Sequence, residues 1–416
     1  MQVFKFGGAS VKDANGVKNL SSVLQKVGYK NTLIVVSAMG KTTNAIEVII
    51  NNYLNNKGEL QSSIHDVIKY HNEILLDLFS NERHPVFKKV SSLFEELKSF
   101  FDRNKSPDYN FIYDQVIGYG ELISTTIISE YLNETGIKNN WLDAREYIKT
   151  DNYYRRANVN WDETQQQISS KFDKSILNIT QGFIGSDSNN FTTTLGREGS
   201  DYTAAIFAYC LNAESVTIWK DVPGVLNADP RYFENAQLLN KISYREAIEL
   251  AFYGASVIHP KTLQPLQGKE IPLFVKSFLK PENNGTKVEK GIGIEPNIPC
   301  FIVKKNQVLI SLSSLDFSYI VEESISEIFA LLHLYKMKVD VIQNSAISFS
   351  VCVDNIYNNL DKLLQHLKAK FKVTCNDNVS LYTIRHYNQE DIDQLEKDKT
   401  VLLKQLTKET VQMVTK

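Results

Sequence analysis

"VFKFGGAS", residues 3–10, sets the reading of the chain. Three apolar residues and a lysine run straight into two glycines and two small residues. A short run of this kind is a buried strand, and its Gly-rich end is the turn out of it. The same unit recurs: "LIVV" (33–36) runs into "SAMGKTTN", "ILNIT" (176–180) into "QGFIGSDS", and "VTIW" (216–219) into "KDVPG". "PLFV" (272–275) reads as a further strand, and longer helix-like segments lie between. Repeated βα units with apolar strands predict an α/β fold, a three-layer αβα arrangement with a largely parallel central sheet. Such sheets bind ligands at the carboxyl ends of their strands. One polar βα loop means nothing, since such loops are always polar, but four along one edge favour a site there.

The 416 residues suggest two or three domains. With a net charge of −2, nothing points to nucleic acid as a partner. Cys210, Cys300, Cys352 and Cys375 lie far apart with no CxxC pair, which argues against a zinc site or disulfide framework and fits a reducing cytosol. "MQVFKFGGAS" lacks a signal peptide's layout, and no apolar run approaches the ~20 residues that cross a bilayer. The expectation is a cytoplasmic protein without a membrane partner. Residues 60–135 read as mostly helical, a cap or lid region. "KPENNGTKVEKGIG" (280–293) reads as a linker.

Beyond it the pattern changes. "VLISL" (308–312), a helix carrying Val321, Ile325, Ile328 and Leu332 on one face, "VDVI" (339–342), an alternating strand at 347–353, a helix near 356–368 and a strand near 371–375 give βαββαβ, an α+β ferredoxin-like order. A weaker, partial repeat runs from 379 to 415.

Several motifs carry charge to the predicted strand ends. Lys5 precedes Gly7 and Gly8, whose backbone N–H groups can approach an anion, although a tight turn with a surface lysine would read the same. "AMGKTT" (38–43) is not a Walker loop, because Val35 stands where the first glycine belongs. Glu121 in "GYGELIST" sits at a helix start, as a favourable first-turn charge or as a carboxylate for an ammonium. "TLGREGSDYT" (194–203) holds Gly196 and Gly199 around Arg197, with Ser200 or Asp201 placed to cap a helix starting near 203. The cap does not need the arginine, a fork suited to carboxylate or phosphate. "WKDVPGVLNADPR" (219–231) places Asp221, Asp229 and Arg231 around a Pro-Gly turn, and on its own reads as two Asx-capped turns. His259, before Pro260, reads as structural.

Taken together, "KFGGAS", "VVSAMGKTTN", "GELIST", "TLGREGSDYTA", "WKDVPGVLNADPR" and "YGASVIHPKTLQPL" resemble monofunctional aspartate kinases of the amino-acid-kinase family in order and spacing. The tail resembles that family's paired ACT regulatory modules. The resemblance implies a catalytic domain over 1–285 and a regulatory region over 297–416. The first module would span 306–377, and the second 379–416, completed by strand 301–304. It implies phosphoryl transfer from MgATP to the β-carboxylate of L-aspartate, giving 4-phospho-L-aspartate and ADP, the entry step towards lysine, threonine and methionine. Mg2+ would come with ATP and not from a protein metal site.

The chemistry agrees with the residues. A carboxylate nucleophile is ionised at neutral pH, so no general base is needed, only positioning and charge neutralisation. By the family pattern, Lys5 contacts the reacting carboxylate and phosphate, and Asp201 orients Lys5. Ser37, Glu121, Arg197 and Ser200 hold aspartate. Glu121 takes the α-ammonium, Arg197 the α-carboxylate and Ser200 the side-chain carboxylate. Gly7, Gly8, Ser10, Lys220, Asp221, Leu226, Arg231 and Ser256 fall to the nucleotide. Lys220 stands where threonine is common, Leu226 where tyrosine is, and Ser256 where lysine is. Lys220 would supply the charge that position 256 lacks. "SSLDFSYIVEESISEIF" (313–329) lacks a glycine often found at the effector turn. A lysine or threonine effector and a homodimer or larger assembly are what the ACT pair implies. With no GxGxxG after a strand, a homoserine dehydrogenase domain is not expected.

Overall fold

A computed structural model describes residues 1–255, 258–291, 293–316 and 318–416. The chain forms two compact units. One takes Met1–Val225, Leu238–Ile248 and the segment ending at Gly293. The other takes Leu226–Gln237, the segment beginning at Glu249 and Ile294–Lys416.

In the first unit the sheet order is Lys241–Ser243, Thr286–Glu289, Leu273–Ser277, Ser215–Lys220, Gln2–Phe6, Thr32–Val36, Leu177–Gln181 and Asn139–Leu142. Neighbours run parallel except for the pair Thr286–Glu289 and Leu273–Ser277. The five predicted strands are all present. Thr32–Val36 and Leu177–Gln181 are buried at every position, as strands covered on both faces must be. Because Ser215–Lys220, Gln2–Phe6, Thr32–Val36 and Leu177–Gln181 are adjacent and parallel, the four polar loops that follow them share one edge. The segment expected to be a linker holds Thr286–Glu289, a strand of this sheet whose Thr286 and Val288 face inward.

Residues 60–135 are largely helical: Leu60–Leu78, Pro85–Arg103, Tyr109–Ile117 and Tyr119–Glu134. Pro85–Arg103 shows why. Pro85 opens the helix, His84 Nδ1 accepts from Val86 N at 3.2 Å, and Val86, Val90, Phe94, Leu97 and Phe101 make its buried stripe.

The second unit carries one six-stranded antiparallel sheet, ordered Lys338–Asn344, Ser348–Asp354, Cys300–Ser313, Lys372–Arg385, Thr410–Thr415 and Val401–Leu406. Helices Glu322–Leu334 and Leu360–Lys368 belong to the first half, and Gln389–Glu396 to the second. The strands expected at 301–304 and 308–312 are two ends of one, Cys300–Ser313. Those near 371–375 and 379–386 likewise join as Lys372–Arg385. These long strands pair along their length, with register shifts between Lys304 and Leu309. Phe301 faces Ile384 and Ile310 faces Cys375, so both βαβ halves lie in one continuous sheet.

Candidate functional site

A cavity of about 420 Å³ opens at the loop edge of the parallel sheet. Its walls include Lys5, Ser37, Glu121, Arg197, Ser200 and Asp201, the six residues expected to serve the amino acid and the catalytic step. Lys5 ends the strand Gln2–Phe6, and Ser37 follows Thr32–Val36. Glu121 lies in the first turn of Tyr119–Glu134. Ser200 and Asp201 lie in the first turn of Gly199–Leu211.

That helix starts four residues earlier than expected, and neither Ser200 nor Asp201 caps it. Its N-cap is Glu198, at φ 56, with no side-chain cap bond. Gly196 has φ 78, where glycine is favoured. Gly199 is glycine for a different reason, since a Cβ there would lie 2.6 Å from the Phe183 ring.

Lys5 Nζ sits 2.6 Å from Asp201 Oδ1, and Lys220 Nζ 4.0 Å from Oδ2. Asp201 is fully buried. Burial alone would raise its carboxyl, but the two ammonium groups overcome that and hold it below the usual carboxylate range. This fixes Lys5 as an oriented cation at the strand end. Gly7 lies beside it, where a Cβ would be 3.3 Å from Nζ.

Glu121 is the opposite case. It is 3 % exposed, Oε1 accepts from Ala38 N at 3.3 Å, and Oε2 has no hydrogen-bond partner among the described residues. With no cation paired to it among the described residues, burial pushes its carboxyl up to about 8. A buried carboxylate facing a cavity without a partner fits an incoming ammonium. Arg197 is exposed on the same cavity, and no carboxylate lies within ion-pair distance of it among the described residues.

The nucleotide-side expectations are scattered. Gly8 O accepts from Gly40 N at 3.0 Å, and the buried Ser10 hydroxyl donates to Gly7 O at 2.6 Å, so both brace the first turn. Asp221 is exposed in the loop after Ser215–Lys220. Leu226 and Arg231 belong to the second unit. Arg231 is clamped by Asp229, with Nη2–Oδ2 at 2.6 Å, and Asp229 accepts from Arg231 N at 2.9 Å, the Asx turn the sequence favoured. Ser256 lies outside the described residues. His259 is structural as read: its Nδ1 accepts from Lys261 N at 3.2 Å and caps Pro260–Gly268.

Thr43, Tyr113, Arg155, Phe183 and Glu198 also line the cavity and were not singled out in the sequence. Glu198 had a signal, a charge enclosed between Gly196 and Gly199. Burial, then the nearby Asp201, raises its carboxyl. Asp114 was missed as well. It is buried and accepts from Arg155 N at 3.0 Å, Thr194 N at 2.8 Å and Thr194 Oγ1 at 2.8 Å. Burial lifts it to about 6 against those bonds. It positions two loops that border the cavity.

The amino acid kinase family profile matches residues 1–277. The chain belongs to the amino acid kinase family. Within it, the chain is 30% identical over 396 residues to lysine-sensitive aspartokinase 3 of Escherichia coli (strain K12), covering 92% of this chain and 86% of that protein. Its structure is similar to that of E. coli aspartokinase III in complex with lysine and aspartate, the T-state. The TM-score is 0.84 at 27% identity, covering 100% of this chain and 95% of the other. The same enzyme in complex with aspartate and ADP, the R-state, gives a TM-score of 0.81 at 27% identity, covering 100% and 96%. The amino acid kinase match ends before the six-stranded antiparallel sheet begins.

Proposed function

We propose that the chain is an aspartate kinase that moves the γ-phosphoryl group of ATP to the β-carboxylate of L-aspartate. The observation that carries this is the meeting, in one cavity, of a buried carboxylate, Glu121, and an arginine, Arg197, neither of which has an ion-pair partner among the described residues. Those are the two halves of a receptor for a free α-amino acid. Beside them Lys5 waits at the strand end. An N-acylated substrate has no ammonium for Glu121, which disfavours that class.

In the reaction a β-carboxylate oxygen attacks the γ-phosphorus. The bond to the β,γ-bridging oxygen breaks, and ADP leaves with that electron pair. No proton has to move, because the nucleophile is already ionised. Glu121 binds the α-ammonium and Arg197 the α-carboxylate, while Ser37 and Ser200 donate to substrate oxygens. Lys5, oriented by Asp201, neutralises charge on the transferred group. Gly7 and Gly8 present the turn to phosphate, with Ser10 bracing it. Lys220, Asp221, Leu226, Arg231 and Ser256 serve the nucleotide. Mg2+ arrives as part of the MgATP substrate. No cluster of three or more His, Cys, Asp or Glu able to hold a metal lies among the described residues. The six-stranded sheet is the ACT pair that receives a lysine or threonine effector, in a homodimer or larger assembly. No described helix is long and apolar enough to cross a membrane, and we assign the reaction to the cytoplasm.

An aspartate-dependent hydroxamate assay, run beside glutamate and with and without lysine and threonine, tests this. Aspartate is expected to be turned over and glutamate not. Lys5→Ala is expected to lower kcat about 10³-fold, as loss of an oriented electrostatic donor does. Full activity of that variant would refute the mechanism.

A further inference from the structure

Arg155 is the least explained charge on the cavity wall. It occupies φ 70, a backbone region that disfavours side chains. Residues held there by their surroundings cluster at functional sites, and Phe183 and Glu198 on the same cavity also have positive φ. The surroundings of Arg155 do hold it. Asp114 takes its backbone N–H with both carboxylate oxygens at 3.0 Å. The guanidinium lies over the rings of Tyr113, at 4.6 Å, and Tyr109, at 5.3 Å. Tyr113 is itself fixed, its hydroxyl donating to Glu47 Oε1 at 3.1 Å. Stacking fixes the plane of the fork and leaves its N–H edges available. The positive charge is felt by Asp114 and Tyr113, yet no carboxylate lies within ion-pair distance of it among the described residues.

The loop carrying Arg155 runs beside the one carrying Arg197. Ala157 N donates to Thr194 O at 2.9 Å. A Cβ on Gly196 would sit 3.3 Å from Arg155 O and 3.3 Å from Arg156 Cβ. Asp114 bonds both loops and fixes their spacing. Two guanidinium groups without carboxylates therefore border one cavity from adjacent loops, while Lys5 is already matched with Asp201.

We infer that Arg155 is a second substrate-binding arginine, gripping the α-carboxylate of the amino acid together with Arg197. This rests on the reading of the site as an aspartate receptor. The reacting β-carboxylate belongs to Lys5 and the ammonium to Glu121. The α-carboxylate is the remaining anionic group, and its four lone pairs accommodate two forks. Asp114 is then a positioning residue that acts through Arg155.

Arg155→Gly tests this without adding strain, because glycine accepts φ 70. The full chain is assayed with L-aspartate and with its α-amide, in which the α-carboxylate is neutral. The variant is expected to raise the KM for aspartate about tenfold, with kcat and the KM for ATP within about twofold, as loss of one charge-assisted contact predicts. Its preference for aspartate over the α-amide is expected to fall by the same factor, and Arg155→Lys to recover part of it. A purely structural stacking role would lower the melting temperature and leave that preference intact, which would overturn the inference. An unchanged KM for aspartate in Arg155→Gly would do the same. If the unmodified protein neither phosphorylates nor binds aspartate, the reading of the reaction itself fails, and this inference falls with it.

Discussion

Each unit buries a carboxylate with one oxygen lacking a hydrogen-bond partner, and the two sites are finished differently. In the first unit, Glu121 has only backbone donors, Ala38 N at 3.3 Å and its own N–H, and no cation paired with it among the described residues. In the second, Asp340, whose side chain is 6% exposed, has Lys304 Nζ at 2.7 Å and Lys338 Nζ at 3.8 Å on Oδ1. Both lie on regular elements, Glu121 in the helix Tyr119–Glu134 and Asp340 in the strand Lys338–Asn344. The difference lies in who supplies the counter-charge. The sheet of the second unit supplies its own, so Asp340 is part of the fold. Among the described residues no cation of the first unit pairs with Glu121, although Lys5, Arg155 and Arg197 line the same cavity, so Glu121 gains a counter-charge only when a ligand arrives. A buried acid without a counter-charge is the more informative, because the fold bears the cost of desolvating it, or of keeping it protonated, for some other reason.

The largest effect that would break this contrast is on stability. Lys304→Met is expected to leave Asp340 with only the exposed Lys338 at 3.8 Å, and to lower the unfolding free energy by about 3 kcal/mol, as breaking a buried pair does. Denaturant unfolding measures it. A change below about 1 kcal/mol would mean that Asp340 is solvated and the two carboxylates are not comparable. Glu121→Gln should act with the opposite sign. The free protein gains stability, because an uncompensated acid has gone, while the KM for aspartate rises about 100-fold, through loss of the ammonium's buried partner. Destabilisation of the free protein by Glu121→Gln would show that the acid has a partner in the fold.

Next in size is a proton. With its carboxyl pushed up to about 8, Glu121 keeps its proton at neutral pH in the free protein, where an unfolded chain has lost it. The folded state therefore binds more protons between the ordinary glutamate value and about 8. This contribution to stability is full below that window and falls as pH rises through it, by up to about 1.4 kcal/mol per pH unit. An ammonium reverses the preference, so binding aspartate at pH 7 is expected to release close to one proton. Calorimetry in buffers of differing ionisation enthalpy counts it. Release that persists in Glu121→Gln would assign the proton elsewhere.

What could be read from sequence follows the same division. Lys5, Ser37, Glu121 and Arg197 were legible because each sits at a strand or helix end beside glycine or a hydroxyl, and the parallel sheet delivers such ends to one edge. Arg155 and Tyr113 were not, since they meet only where one loop crosses a helix 42 residues away in sequence. The strand Thr286–Glu289 was hidden by its shortness and by Gly285 and Gly291 around it. Cys300–Ser313 read as two strands because "KKNQ" (304–307) interrupts the apolar run, at the point where the register shifts. Helix Gly199–Leu211 was placed too late because Glu198 enters it at positive φ, where a cap with a β-type torsion was expected.

Glu198 is the third carboxyl on which the contrast can be sharpened, and the smallest effect. It borders the same cavity as Glu121, but the charges of Lys220 and Lys5 already pull against the burial that raises it. If an unanswered acid marks the ammonium site, Glu198 is not that site. Glu198→Gly removes a side chain from φ 56. It should stabilise the protein by about 1 kcal/mol, the left-handed strain less the extra entropy of glycine in the unfolded chain. It also removes negative charge near an anionic substrate, so the KM for aspartate should fall about twofold. Melting curves and initial rates on one preparation read both. A rise in that KM comparable to that of Glu121→Gln would place the ammonium at Glu198. Glu121 would then be a buried acid like Asp340, with its cation still to be found.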